Sequence, residues 1–397
     1  MFSTRIIYLQ TSSKNSGILA LGCEAGFTWR DDFFGELDAF IQQHQGSYLF
    51  SCLSYDLKNR IERLESNHQD LTDFPEIVLW KAEVVVEIDH KNFRVLYGDP
   101  EKYLPVIHRF ISKQTSLLPQ INFQAHLPKT VYLEQIAQIK REIQLGNIYE
   151  LNFCQQFSAE LNSELDSVSC FQRLSELTQA PFSAYVNLEN HEVFCGSPER
   201  FIQKKDNKVS SQPIKGTSKR GENEEEDRKL IRQLQNDPKE RAENIMITDL
   251  VRNDLSRIAS KNSVHVDELC GVYTFGTVHQ LISTISCTIK EETTFSDILK
   301  ATFPMGSMTG APKIRSMELI EKYENFKRGL YSGSIGYFKP NGDFDFNVVI
   351  RSLIRNKKNN VITASVGGAI TIQSDPEQEY RECEVKIHKL LDLFKGD

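Results

Sequence analysis

Along the first 125 positions, short apolar runs alternate with polar turns; Ile77-Val78-Leu79-Trp80 and Ala82-Glu83-Val84-Val85-Val86-Glu87-Ile88 are two of them. Runs of this length, bounded by turn formers, predict strands. The pattern weakens between Pro119 and Pro128, and then Tyr132, Ile136, Ile139 and Ile143 recur at helical spacing until Gly146 supplies a stop. A second unit is expected to begin here, dividing the chain into residues 1–125 and 126–397. Beyond this point strand-like segments (Ala184 to Leu188, Glu192 to Cys195, Tyr331 to Phe338, Val361 to Ser365) mix with long amphipathic helices without strict alternation. That mixture predicts an α+β protein rather than a doubly wound sheet.

Two helices carry candidate chemistry. Lys239 to Ile258 has Ala242, Ile245, Met246 and Leu250 as its expected core-facing stripe, with Glu243 beside it. Near the C-terminus Tyr380, Cys383, Ile387, Leu390 and Phe394 share one face, while Glu379, Glu382 and Lys386 fall at i, i+3 and i+7 on an adjoining one. From spacing alone the simpler reading is a solvated face with a Glu382–Lys386 ion pair. The alternative is a hard-cation site completed by a distant Glu.

Other segments are individually weak signals. Gly306 to Lys313, Gly333-Ser334-Ile335-Gly336 and Val366-Gly367-Gly368-Ala369 let backbone approach an anion, but ordinary turns have the same composition. None is a P-loop or a dinucleotide fingerprint. Lys215 sits between Pro213 and Gly216, and Glu199 lies in the short segment Ser197-Pro198-Glu199-Arg200-Phe201. The charge run Glu222 to Arg228 reads as a solvated loop entering a helix.

Composition narrows the function classes. With 397 residues, 40% hydrophobic and 25% charged, the chain can bury a substantial core. A formal charge of −7 argues against a nucleic-acid ligand, which calls for a clustered basic surface. No apolar stretch approaches the roughly 20 residues of a membrane span. The opening residues Met1 to Ile7 lack a basic region followed by an apolar run, so a cytoplasmic location is expected. Eight scattered cysteines without a Cys-x-x-Cys pair are expected to be reduced thiols.

Taken in order, the segments Gly146 to Asn152, Ser197 to Phe201, Pro213 to Thr217, Glu240 to Leu255, Phe303 to Lys313, Arg328 to Tyr337, Asn347 to Ser352 and Val366 to Lys386 resemble the chorismate-utilising enzymes. That family includes anthranilate, aminodeoxychorismate, isochorismate and salicylate synthases. The first 125 residues match loosely, mainly at Leu53-Ser54-Tyr55-Asp56, as a shortened strand-rich region packing on the catalytic part. The resemblance implies antiparallel sheets facing each other around the active site, with helices outside. It also implies that Glu243 and Glu382, with Glu379 close by, hold Mg2+ against the ring carboxylate of chorismate. Tyr331 and Arg351 resemble contacts to the enolpyruvyl carboxylate, assisted by Thr309, Gly310, Gly368 and Ala369, and Lys386 is a further substrate-binding candidate. Arginine offers a bidentate, permanently charged partner there, and the metal withdraws electron density from the ring.

Lys215 separates the branches. The anthranilate branch usually carries alanine at this position, whereas the aminodeoxychorismate branch carries a lysine that adds covalently to the ring. By resemblance Lys215 is the nucleophile, and Glu199 is the acid and base that protonates the departing hydroxyl. The attacking amine must be neutral; lowering a lysine from about 10.4 to near 7 costs roughly 4 to 5 kcal/mol, and a dry site or a nearby cation is expected to do so. Ammonia is expected from a separate glutamine amidotransferase subunit. The rival readings are an anthranilate synthase large subunit, disfavoured by Lys215, and a chorismate- or tryptophan-binding relative without activity, disfavoured by the retained catalytic groups.

Two positions depart from the family. Many relatives have a His immediately before the Leu of a Val-x-His-Leu segment, but this chain reads Val278-His279-Gln280-Leu281. Gln280 donates hydrogen bonds but shuttles no proton, and on a strand His279 points to the opposite face. Glu150 stands where the water-adding members hold a lysine and where ammonia-using members more often have glutamine; the absence of the lysine disfavours water addition. A carboxylate there is suited to retaining or deprotonating ammonium.

Overall fold

The computed structural model describes residues 5–11, 16–112 and 115–395. Met1 to Thr4, part of the opening read for a leader, lie outside the described residues. Two antiparallel sheets dominate. One runs through Gly310–Ala311, Glu150–Glu160, Val361–Ile370, Ser352–Asn356, His191–Ser197, Phe182–Asn187, Ile6–Gln10, Ser16–Leu21, Val84–Asp89 and Asn92–Tyr97. The other runs through Ile214–Lys219, Val278–Thr288, Lys208–Gln212, Arg200–Lys205, Phe344–Asn347, Ser334–Phe338, Leu49–Leu53, Ile77–Lys81 and Ala25–Gly26. Strands from before residue 125 thus enter both sheets.

The pleat explains the layering. Alternate residues of a strand face opposite sides, and Ile7, Leu9, Ile18, Ala20 and Val85 join a core shared with Phe50, Leu53, Ile285, Ile335 and Phe346 of the other sheet. Their neighbours Tyr8, Leu19, Leu21, Val84 and Val86 join a second core. There they meet Tyr132 and Ile136 of helix Lys129–Gln144 and Cys383 and Ile387 of helix Pro376–Leu391. One core therefore lies between the sheets and the other under the outer helices. This is the expected α+β arrangement.

The C-terminal helix buries Cys383, Ile387 and Leu390 as its spacing predicts, with Phe394 buried just beyond it. Helix Pro238–Ser256 does not follow its predicted stripe: Ala242 and Ile245 are exposed, and Asn244, Ile247, Thr248, Val251 and Leu255 are buried instead. The inward face carries a second apolar stripe, Ile247, Val251 and Leu255 at i, i+4 and i+8, and on the same face Asn244 Nδ2 donates to the carbonyls of Lys215 (3.3 Å) and Leu281 (3.2 Å), tying the helix to two strands. The acidic run enters helix Glu224–Asn236, capped by Asn223. All eight cysteines are free thiols.

Candidate active site

The site forms where these elements meet. Strand Ile214–Lys219 pairs with Val278–Thr288, and its register shifts between Ile214 and Thr217. Lys215 occupies this bulge, where one strand has residues to spare and a side chain is re-aimed. Gly216 follows at φ +93°, in the left-handed region. A Cβ there would lie 3.0 Å from Leu281 and 3.1 Å from Glu240 Oε2, so glycine is required by conformation and by space.

Lys215 Nζ lies 3.0 Å from Glu150 Oε1, with side chains only 10% and 1% exposed. Glu150 opens strand Glu150–Glu160, and its Oε2 is buried without a hydrogen-bond partner. The expectation of a neutral resting amine is not met. Burial pulls Lys215 down, but Glu150, Glu243 and Glu199 together hold it above the usual lysine value. The site is dry, as expected, yet its charges are carboxylates rather than cations, so the resting side chain is an ammonium.

Glu199 is buried, and burial pushes its carboxyl up to about 7 even though Lys215 and Arg351 pull it down. A group at that value can give a proton and take one back near neutrality. Arg351 holds a left-handed backbone conformation at φ +52°. Burial disfavours its charge and Glu199 opposes that effect. Among the described residues no side chain forms an ion pair with Arg351, so its guanidinium can receive an anion.

Thr309 and Gly310 are held against the strand that begins with Glu150: Asn152 N donates to Thr309 O at 2.8 Å, and Gly310 pairs with Leu151. Tyr331 is buried with its hydroxyl 3.8 Å from Cys154 Sγ. One buried guanidinium organises these pieces. Arg328 donates to Met308 O (2.8 Å), Asn152 O (2.9 Å), Ser332 Oγ (3.3 Å) and both oxygens of Glu324 (2.9 and 2.6 Å). It fixes the residue before Thr309, the strand bearing Glu150 and the residue after Tyr331. The sequence reading did not single out Arg328 for this role.

Gly368 and Ala369 lie in strand Val361–Ile370, opposite Phe153 and Asn152. Pairing with Ser352–Asn356 ends at Ala364, so beyond it one edge of the strand lacks a strand partner among the described residues. Lys386 donates to Gly367 O at 3.1 Å and pairs with Glu382 at 2.6 Å. This is the ion pair the spacing predicts. A Cβ on Gly368 would come within 3.3 Å of Glu379 Oε2, so the glycine leaves room for that carboxylate.

Helices Pro238–Ser256 and Pro376–Leu391 each start with a capping Asp and a Pro, and each carries Glu-x-x-Glu: Glu240 and Glu243, Glu379 and Glu382. Lys239 Nζ stands 3.9 Å from both Glu243 Oε1 and Glu379 Oε1. Burial pushes Glu243 up to about 7 and also raises Glu379 and Glu240. Glu382 is held below the ordinary range: burial opposes this, but Lys386 outweighs it. Among the described residues no three His, Cys, Asp or Glu side chains, as they stand, are placed together to hold a metal ion. A hard cation nevertheless fits: Glu243 Oε1 is buried without a hydrogen bond, the donors are carboxylate oxygens, and an ammonium already lies between two of them.

His279 takes no part in this constellation. Its ring nitrogens contact Asp227 Oδ1 (2.8 Å) and Thr274 Oγ1 (2.9 Å), and it is fully buried. Gln280 is buried with its Oε1 unpartnered.

The chain is 36% identical over 352 residues to "Aminodeoxychorismate synthase component 1" of Escherichia coli (strain K12), covering 87% of this chain and 76% of that protein. It is 34% identical to the protein of the same name from Klebsiella aerogenes, over 85% of this chain and 75% of the relative. Among solved structures, anthranilate synthase component I from Streptococcus pneumoniae TIGR4 superposes with a TM-score of 0.79 at 26% identity, covering 99% of this chain and 92% of that one. The menaquinone-specific isochorismate synthase of Escherichia coli shares the fold, with a TM-score of 0.78 at 18% identity over 98% and 89% of the two chains. The family model described as chorismate binding enzyme matches residues 5–392, and the chain belongs to that family.

Proposed function

We propose that this chain is the aminating component of an aminodeoxychorismate synthase, converting chorismate and ammonia to 4-amino-4-deoxychorismate on the route to 4-aminobenzoate and folate. The observation that carries this reading is the buried lysine, Lys215, 3.0 Å from Glu150 and in the field of Glu199. Burial keeps the lysine away from bulk water, and once its proton is removed the amine is a nucleophile for the ring. The names borne by the relatives support the same branch. Ammonia would come from a glutamine amidotransferase subunit in the cytoplasm.

In this mechanism Arg351 receives the enolpyruvyl carboxylate, with Tyr331, Thr309 and Gly310 shaping its surroundings. The free strand edge at Gly368 and Ala369 offers backbone groups to the same carboxylate, with Lys386 beside it. Glu243, Glu379 and Glu382 would hold Mg2+, which supplies charge neutralisation for the ring carboxylate and withdraws electrons from the ring. Lys215 attacks the ring carbon next to the carboxylate-bearing carbon, the double bond shifts, and the hydroxyl leaves as water with the proton of Glu199. Ammonia then adds at the carbon that lost the hydroxyl and expels Lys215; Glu199 takes the proton released from the new amine. Two easier displacements replace one difficult one.

The test is mass spectrometry of products from purified protein, chorismate, magnesium and ammonium, with Lys215→Ala run in parallel. Formation of 4-amino-4-deoxychorismate by wild type and a loss of about 100-fold or more in the variant are expected. Anthranilate as the product would refute the assignment.

A further inference from the structure

The covalent role proposed for Lys215 leaves one proton without a carrier. The resting side chain is an ammonium, which has no lone pair for attack, and its side chain is nine-tenths buried. Bulk water is poorly placed to take the proton. Glu199 serves the hydroxyl, and a single carboxyl cannot give a proton to the leaving oxygen while removing one from the nucleophile. Among the described residues Glu150 is the carboxylate that pairs directly with Nζ, at 3.0 Å. Its other oxygen, Oε2, is buried and accepts no hydrogen bond, so the group has an unused acceptor in the site.

We propose that Glu150 is the catalytic residue that carries the Lys215 proton, removing it before the lysine attacks the ring and returning it after ammonia expels the lysine. The account balances. Lys215-NH3+ and Glu150-COO− become Lys215-NH2 and Glu150-COOH. The nitrogen lone pair forms the bond to the ring, the ring double bond shifts, and the carbon–oxygen bond breaks with the Glu199 proton leaving in water. The adduct nitrogen is then a secondary ammonium and a good leaving group. Ammonia forms the new carbon–nitrogen bond, Lys215 departs as neutral amine, and Glu150-COOH restores its proton. Glu199, now ionised, accepts the proton of the product ammonium. Each group ends as it began. This reading gives the departure from the family at position 150 a task on Lys215 itself, instead of on free ammonium.

The experiment joins a rate with a measurement that does not depend on turnover. Glu150→Gln keeps shape and removes the base; with magnesium and ammonium present, amination should fall about 100-fold, the scale of a lost general base. Competitive labelling with acetic anhydride between about pH 6 and about pH 10, read at the Lys215 peptide, should show the opposite trend: with one neighbouring carboxylate gone, Lys215 loses its proton at lower pH and is labelled faster. A freer amine in a slower enzyme is the expected signature, and Glu150→Asp, which keeps a carboxylate, should recover part of the rate. Amination by Glu150→Gln within about threefold of wild type overturns the proposal. So does a slow variant whose Lys215 labelling curve is unchanged, and so does a rate for Glu150→Asp no better than for Glu150→Gln. If Lys215→Ala aminates at the wild-type rate, the covalent reading fails instead, and the labelling of Lys215 in Glu150→Gln is unaffected by that failure.

Discussion

Replacing Glu199 by Gln should stabilise the protein at alkaline pH while removing its activity. Glu199 is buried, and its carboxyl is pushed from 4.5 to about 7 by that burial. In the unfolded chain the group ionises at its ordinary value. Between about pH 4.5 and about pH 7 the native state therefore holds a proton that the unfolded state has lost, and stability falls as pH rises through this window. At about 1.36 kcal/mol per pH unit, a shift of this size removes about 3 kcal/mol of stability by pH 8 relative to pH 4. Glutamine has no ionised form and does not suffer this loss. Urea denaturation of wild type and Glu199→Gln at both pH values gives four stabilities. The pH-dependent part of their difference isolates Glu199, because other buried carboxyls such as Glu243 titrate in both proteins and cancel to first order. The variant should gain about 3 kcal/mol on wild type between pH 4 and pH 8. A difference that is flat across this range, or that moves against the variant, would refute the burial argument for Glu199 as a neutral-pH acid.

Two further outcomes follow from the buried charges. Arg328→Leu leaves Glu324 and the carbonyls of Met308 and Asn152 without their donor, so it should cost about 3 to 5 kcal/mol in urea denaturation, and adding Glu324→Gln should recover part of it. A cost below about 1 kcal/mol would show that the guanidinium does not organise the site. Lys239 competes with a cation for Glu243 and Glu379; with its side chain 43% exposed, its hold is worth about 1 kcal/mol. Lys239→Met should therefore tighten magnesium binding about fivefold by titration calorimetry, and weaker binding would place the metal elsewhere.

Much of the molecule could be read along the chain. Alternation fixes which residues of a strand share a face, and Ile7 and Leu9 do part from Tyr8 into different cores. The 3.6-residue repeat identifies the buried face of the C-terminal helix. The ordered motifs located Lys215, Glu199, Glu243 and Glu382 as candidates. These are properties of local sterics and short-range spacing, which a linear pattern records directly.

Other features were decided only when the chain closed. Helix Pro238–Ser256 offered two apolar stripes, and the one through Ile247, Val251 and Leu255 turned inward, where Asn244 on the same face meets carbonyls of two distant strands. Strand alternation already turns His279 away from Gln280, but only the fold brings Asp227 to its ring. Lys215 was expected to rest neutral, but Glu150, Glu199 and Glu243, each far from it along the chain, hold it as an ammonium. The sequence determined which groups were present and which way neighbours point. The tertiary structure decided their charge, because interaction between charges depends on separation through space and on the water excluded between them, and neither is written in the order of residues.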